Sequence, residues 1–129
     1  VTDDDQRVDL GGRRITKKRT LLAAEAVGGA TDCVESAVEY AKVRKQFGRT
    51  IATFQAVKHH CANMLVAAES ALAAVWDAAR AASENEDQFR LVSAVAATLG
   101  FTAYARNAEL NIQVHGGIGF TWEHDAHLH

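Results

Sequence analysis

Two stretches of this sequence hold residues whose types and spacing suit a charged, flat ligand. The first, Val43-Arg44-Lys45-Gln46-Phe47-Gly48-Arg49-Thr50-Ile51-Ala52-Thr53-Phe54-Gln55, mixes cations, glycine, amides and an aromatic. Arginine forks onto two phosphate oxygens in a way lysine cannot. Gly48 permits close backbone approach, and a helix starting beyond it aims unpaired N–H groups at an anion. The stretch therefore reads as a pyrophosphate grip centred on Arg44 or as a solvated turn with an aromatic plug. The second stretch, Gln113-Val114-His115-Gly116-Gly117-Ile118-Gly119-Phe120, places paired glycines where bare backbone can lie against a flat group. It is not the dinucleotide fingerprint, because no strand precedes it and the G-x-G-x-x-G spacing is absent. A nucleotide held here is held without a Rossmann fold.

Other chemistry is harder to build from these residues. His59-His60 are adjacent, and His124, His127 and His129 crowd the C-terminus. No glutamate has a histidine three residues later, and no His-Glu-x-x-His occurs, so di-iron and zincin patterns fail. A zinc pair from His124 and His127 stands only against the plainer reading of exposed or helix-terminal histidines, and no metal centre is expected. Glu25 lies in an apolar run, Leu21 to Val27, where a buried carboxylate could serve as a general base. It could equally line the polar face of a helix with Asp32, Glu35 and Glu39. A net charge of −2 offers no basic field for nucleic acid. Cys33 and Cys61 stand among small apolar residues outside any CxxC spacing and read as free thiols of a reducing, cytoplasmic compartment. The acidic start is unlike a signal peptide, and no apolar run reaches the ~18 residues of a membrane span.

The elements that must position these stretches are helical. The 129 residues contain 25 alanines and no proline, which favours close-packed helices in one all-α domain. Residues 1–14, with Asp3-Asp4-Asp5 and Gly11-Gly12, read as an extended lead-in linker from a preceding domain. Residues 15–129 then form a helical bundle domain. A first stripe runs Leu21, Leu22, Val27, Ala30, Val34, Ala37, Val38 and Ala41, closed by Gly48. A second runs Phe54, Val57, Cys61, Met64, Leu65, Ala68, Leu72, Val75, Trp76 and Ala79, ending near Ala82. Ser83-Glu84-Asn85-Glu86 has capping-box form. A third stripe runs Leu91, Val92, Val95, Leu99, Tyr104, Ala108 and Ile112 and extends to His115, and the glycines at 116, 117 and 119 end it. Thr121-Trp122-Glu123-His124 opens a fourth helix in which the chain stops, as a truncated piece of a larger polypeptide would. Long helices joined by short turns predict an up-down antiparallel helical bundle.

Arg44-Lys45-Gln46-Phe47-Gly48, then Phe54-Gln55, then Gln113-Val114-His115-Gly116-Gly117-Ile118-Gly119-Phe120 together resemble the C-terminal helical domain of the acyl-CoA dehydrogenases. The similarity covers about Ile15 to His129 and includes the lead helix Arg19-Thr20-Leu21-Leu22-Ala23-Ala24. The resemblance implies FAD, an acyl-CoA substrate, an electron acceptor such as electron-transfer flavoprotein, and a homo- or hetero-oligomer, dimer or tetramer. It implies that both loops reach across a subunit interface to the ADP half of a neighbour's FAD. Arg44 and Gln46 would then meet the pyrophosphate, Phe47 and Ile51 would pack near it, and Gln55, Gln113, Gly116 and Gly117 would complete the clamp. The family's catalytic glutamate stands either in a Tyr-Glu-Gly stretch beyond the glycine loop, which this sequence does not reach, or just before the arginine of the lead helix, which is Lys18 here. No catalytic residue is therefore assigned within this segment. The ending from Gly119 to His127 resembles actinobacterial members that include paired heteromeric enzymes of steroid and fatty acid breakdown. The implied roles are thus part of a flavin-dependent dehydrogenase or a subunit that only holds cofactor. Without the resemblance, the residues also fit a plain helical interaction module.

Overall fold

The computed structural model describes residues 3–121 and 124–128, with the backbone alone for 3–10, Phe120 and His127. Three long helices make up the fold: α1 (Asp3–Val43), α2 (Gln55–Glu84) and α3 (Glu86–His115). Between α1 and α2 a two-residue hairpin pairs β1 (Lys45–Gln46) with β2 (Arg49–Thr50), followed by a 3-10 turn at Ile51–Thr53. Asn85 alone separates α2 from α3, which forces a sharp reversal. The chain thus runs up, down and up, with α3 packed along both α1 and α2. Side chains of α3 reach back to α1 at a fixed offset: Ser93 to Thr16 and Asn107 to Ala30 are each separated by 77 positions. A constant difference means that α1 and α3 run parallel, as the first and third helices of an up-down bundle must.

The core is built from small residues. Ala23, Ala30, Ala37, Ala71, Ala78, Ala81 and Ala96 are fully buried, with Cys33, Met64 and Phe89 as the larger fillers. A Cβ added at Gly100 would meet the Ala23 carbonyl oxygen at 3.1 Å, so the α1 and α3 backbones approach closely there. Alanine contributes little side-chain entropy loss on burial, and it lets the helix axes draw together.

Several expectations are corrected. The lead-in is helical from Asp3 and continues into α1 without a break, because no proline interrupts it and the glycines at 11 and 12 fit a helix. Leu21 and Leu22 are exposed, and the α1 core face is carried instead by Thr16, Ala23, Ala26, Val27, Ala30, Cys33, Val34, Ala37 and Ala41. Leu65, Trp76 and Ala79 of the second stripe face outward. The third stripe was displaced: Leu91, Val95 and Leu99 are exposed, whereas Phe89, Ser93, Ala96, Gly100, Ala103, Asn107, Asn111 and Val114 face inward. The α3 cap is Asn85, whose Oδ1 accepts from the Gln88 N–H at 3.0 Å, while Ser83 Oγ donates back to the Arg80 carbonyl. The first helix ends at Val43, ahead of Gly48. Among the described residues near the C-terminus there are 3-10 turns at Gly116–Phe120 and Asp125–Leu128 instead of a fourth α-helix. Trp122 and Glu123 lie outside the described residues.

A cleft between the hairpin and the glycine turn

The hairpin turns on Phe47 and Gly48, with φ of 53° and 77°. Both central residues at positive φ define the type I′ turn, whose twist matches that of a two-stranded ribbon. Gly48 adopts this region without strain, whereas Phe47 is a side-chain-bearing residue there, 90% exposed with a single ring contact. Its ring meets Phe54 edge-on at 6.1 Å, and the Arg49 guanidinium covers the Phe54 ring at 4.2 Å. The Ile51 N–H donates to the Arg44 carbonyl at 2.8 Å and closes the ribbon at its base. The hairpin thereby fixes Arg44 and Gln46 at the end of α1.

The end of α3 faces it. Gly116 caps the helix at φ 64° and ψ −139°, and its N–H donates to the carbonyls of Gln113 and Ile112. Residues with a Cβ avoid that conformation. A Cβ at Gly119 would meet the Ile112 carbonyl oxygen at 2.8 Å, so glycine there lets the turn fold back over the helix end. Nothing lies within 4 Å of where a Cβ of Gly117 would stand, which leaves its backbone bare.

Between the two loops lies a cleft of about 490 Å³. Arg44, Gln46, Ile51, Gly116 and Gly117 line it, so five of the anticipated site residues converge from opposite ends of the sequence. Phe47, Gln55 and Gln113 are exposed and do not line it, and Phe47 is 90% exposed at the hairpin tip. Among the described residues Arg44 makes no salt bridge, which leaves its guanidinium available to an anion.

Sequence reasoning gave part of the wall no individual role, although Val114, His115 and Ile118 stand in its second stretch. Tyr40, Val114, His115 and Ile118 also line the cleft. Tyr40 stands four residues before Arg44, whose N–H donates to the Tyr40 carbonyl at 2.9 Å, and that spacing was the available signal. The His115 ring stacks on Tyr40 at 4.2 Å and 30° and lies 4.2 Å from the His124 ring. Its Nδ1 sits 2.8 Å from the Asn111 carbonyl, which can only accept, so the proton of this pair is on Nδ1. His124 Nδ1 accepts from the Ala126 N–H at 3.1 Å and pins the C-terminal turn against the stack.

The remaining candidates are apart from the cleft. Glu25 is exposed in a shallow depression with Leu22, Ala26, Gly29, Phe101 and Tyr104, so the burial that a general-base role needed is absent. Lys18 is exposed on α1. No three His, Cys, Asp or Glu side chains converge among the described residues. Cys33 and Cys61 are free thiols. Burial, with Asp32 adding to it, pushes the Cys33 thiol up to about 11, and burial also raises that of Cys61. No helix among the described residues is long and apolar enough to cross a membrane.

Comparison with known proteins agrees with this fold. The family described as "Acyl-CoA dehydrogenase, C-terminal domain" matches residues 10–129. Acyl-CoA dehydrogenase FadE34 of Mycobacterium tuberculosis is 52% identical over 124 residues, which is 95% of this chain and 17% of that protein. A glutaryl-coenzyme A dehydrogenase solved with glutaryl-CoA superposes with a TM-score of 0.88 at 28% identity, over 92% of this chain and 30% of that one. A variant of the Tcur3481-Tcur3483 steroid ACAD gives 0.83 at 30% identity, over 88% and 31%. The chain therefore spans less than a third of the length of each. With nearly the whole chain matched, and with the loops that carry the resemblance facing one cleft, the chain belongs to the acyl-CoA dehydrogenase C-terminal domain family.

Proposed function

We propose that this segment is the C-terminal part of an FAD-dependent acyl-CoA dehydrogenase and that its cleft grips the ADP half of the flavin across a subunit interface. The observation that carries this reading is the convergence of Arg44 and Gln46 with the bare backbone of Gly116 and Gly117 on one open cleft. That donor set fits a diphosphate. A guanidinium supplies forked, charge-assisted hydrogen bonds, a primary amide adds a neutral donor, and glycine backbone lets phosphate or ribose approach without a Cβ in the way. Ile51, Val114 and Ile118 give the cleft an apolar wall, and Tyr40 and His115 offer ring faces. The flavin, when bound, supplies the hydride acceptor for the β-hydrogen of an acyl thioester. The part of this chain is to hold and orient, and Phe47, Gln55 and Gln113, exposed beside the cleft, stand ready to meet a neighbouring subunit.

Large side chains left outside support assembly. Leu21 and Trp76 are about 70% exposed while alanines fill the core. Exposed apolar area on this scale belongs at interfaces, and other domains, a second copy or a partner chain would cover it. The substrate class is an acyl-CoA, with steroid or fatty acyl thioesters favoured by the likeness to a steroid ACAD and to FadE34. An electron-transfer flavoprotein is the fitting electron acceptor, and two free thiols fit a cytoplasmic setting.

A second reading, a non-catalytic subunit that holds the cofactor for a partner, is favoured by one observation. Lys18 occupies the position just before Arg19 where part of the family has its base, and a charged ammonium cannot take the α-proton. Expressing the full-length polypeptide alone and assaying acyl-CoA-dependent reduction of an electron acceptor separates the two. Turnover by the lone chain supports the homomeric enzyme, whereas activity only with a second chain supports the cofactor-holding subunit. The flavin role itself is tested by Arg44→Ala in the full-length assembly, which is expected to weaken FAD retention at least about tenfold. Unchanged retention would reject it.

A further inference from the structure

Asn107 and Asn111 stand one turn apart on α3, and both are fully buried where α1, α2 and α3 meet. Asn107 Nδ2 donates to the Ala30 carbonyl of α1 at 3.1 Å and to the Met64 carbonyl of α2 at 3.0 Å. Carbonyls only accept, so these two bonds consume both amide protons and fix which end of the side chain is nitrogen. Asn107 Oδ1 is then turned away from both partners, and no protein group serves it. Asn111 Oδ1 and Nδ2 are likewise buried without a protein partner.

No main-chain group supplies the missing bonds: helical N–H groups are committed to the ladder, and no carbonyl lies within hydrogen-bond distance of Asn111 Nδ2. A docking subunit cannot supply them either, since both side chains have zero exposure in the chain standing alone. What remains is a molecule small enough to sit inside the bundle and able to donate and accept together. Side chains four apart on a helix are neighbours, so the two amides share one face of α3 at this junction. Buried waters occur about once per 27 residues and make about three hydrogen bonds to such groups.

We infer that an ordered water is bound at this junction, donating to Asn107 Oδ1 and accepting from Asn111 Nδ2, with Asn111 Oδ1 served by its second proton or by a second water. The site completes the polar knot by which α3 holds both other helices. It is independent of the flavin reading and lies outside the cleft.

A high-resolution crystal structure of the full-length polypeptide tests it. The expected result is a solvent peak within about 2.7–3.2 Å of Asn107 Oδ1 and of an Asn111 side-chain atom. No peak there, with the Asn111 amide turned onto a protein group or left bare, overturns the site. Asn111→Leu gives a second reading in solution. If water is bound, leucine displaces it and strands Asn107 Oδ1, so the folding equilibrium constant falls on the order of tenfold. If none is bound, leucine replaces two unsatisfied polar atoms with an apolar group and the constant rises, which contradicts the proposal.

Discussion

The two ends of the bundle use polar residues in opposite ways. At the end where α2 reverses into α3, polar groups bind one another. Ser93 Oγ donates to the Thr16 carbonyl and accepts from Arg19 Nε and from Thr20 Oγ1, whose one proton is shared with the Thr16 carbonyl. Arg13 pairs with Glu86, Arg80 with Asp77 and Glu84, and Asn85 caps α3. At the other end Arg44 makes no salt bridge among the described residues, and Phe47, Gly48 and Gly116 all hold positive φ around an open cleft. Polar groups at the first end are spent on the fold. At the second they are held ready, and unusual backbone gathers there as it does at ligand sites.

The largest separation of the two ends is expected from Arg44→Ala in the full-length assembly. Loss of a charge-assisted phosphate contact of about 1.5–3 kcal/mol weakens FAD binding by roughly ten- to a hundredfold. Thermal unfolding of the apoprotein should not move, because Arg44 is exposed and its side chain makes no hydrogen bond or salt bridge among the described residues, while its backbone bonds survive the substitution. Ser93→Val is the mirror experiment. It leaves Arg19 Nε without a partner, while the Thr20 hydroxyl keeps the Thr16 carbonyl, at a cost of about 1–3 kcal/mol of stability by denaturant titration, with FAD affinity of the folded fraction unchanged. A loss of flavin affinity there would break the division.

The glycine turn sharpens the contrast within one end. Gly116→Ala forces a Cβ into a positive-φ conformation and should lower stability by about 1 kcal/mol or more. Gly117→Ala places its Cβ in open space and should leave unfolding unchanged while reducing flavin affinity. Equal effects of the two on stability would show that the turn is not shaped as described.

The smallest effect near neutral pH concerns the thiols. Cys61 is half-buried and Cys33 fully so, hence a thiol reagent should label Cys61 first and Cys33 only on unfolding. The Cys33 thiol is raised from an ordinary 9.0 to about 11, so its protonated form is favoured in the folded state. Its contribution is complete below pH 9 and is lost as the pH rises toward 11, because the unfolded chain gives up its proton first. Cys33→Ser should flatten that alkaline decline. A decline of equal slope would assign it to other groups.

The sequence shows the helices well and their faces unevenly. Helical spacing located α2 because inward positions such as Met64 and Ala68 sit in a clear apolar stripe. The α3 face was misread because its inward stripe is made of Ser93, Gly100, Asn107 and Asn111, whereas leucines such as Leu91 and Leu99 point outward. Hydrophobic periodicity finds buried area, and here the buried residues are small or polar while large apolar ones face outward. The hairpin escaped notice because a turn of Phe47 and Gly48 lacks the usual Asn-Gly or Asp-Gly signal. For the cleft, Arg44 and the glycines were legible from type and spacing. Tyr40 was within reach of its spacing from Arg44, and its stack with His115 is what only the fold reveals.

The central claim is that the hairpin and the glycine turn hold the diphosphate of FAD. The most direct measurement is a structure of the flavin-loaded, full-length assembly. The account predicts pyrophosphate oxygens at about 2.7–2.9 Å from the Arg44 guanidinium, with the adenosine half lying against Gly116-Gly117 and coming from a neighbouring subunit. A pyrophosphate bound elsewhere, with Arg44 facing solvent, would contradict it.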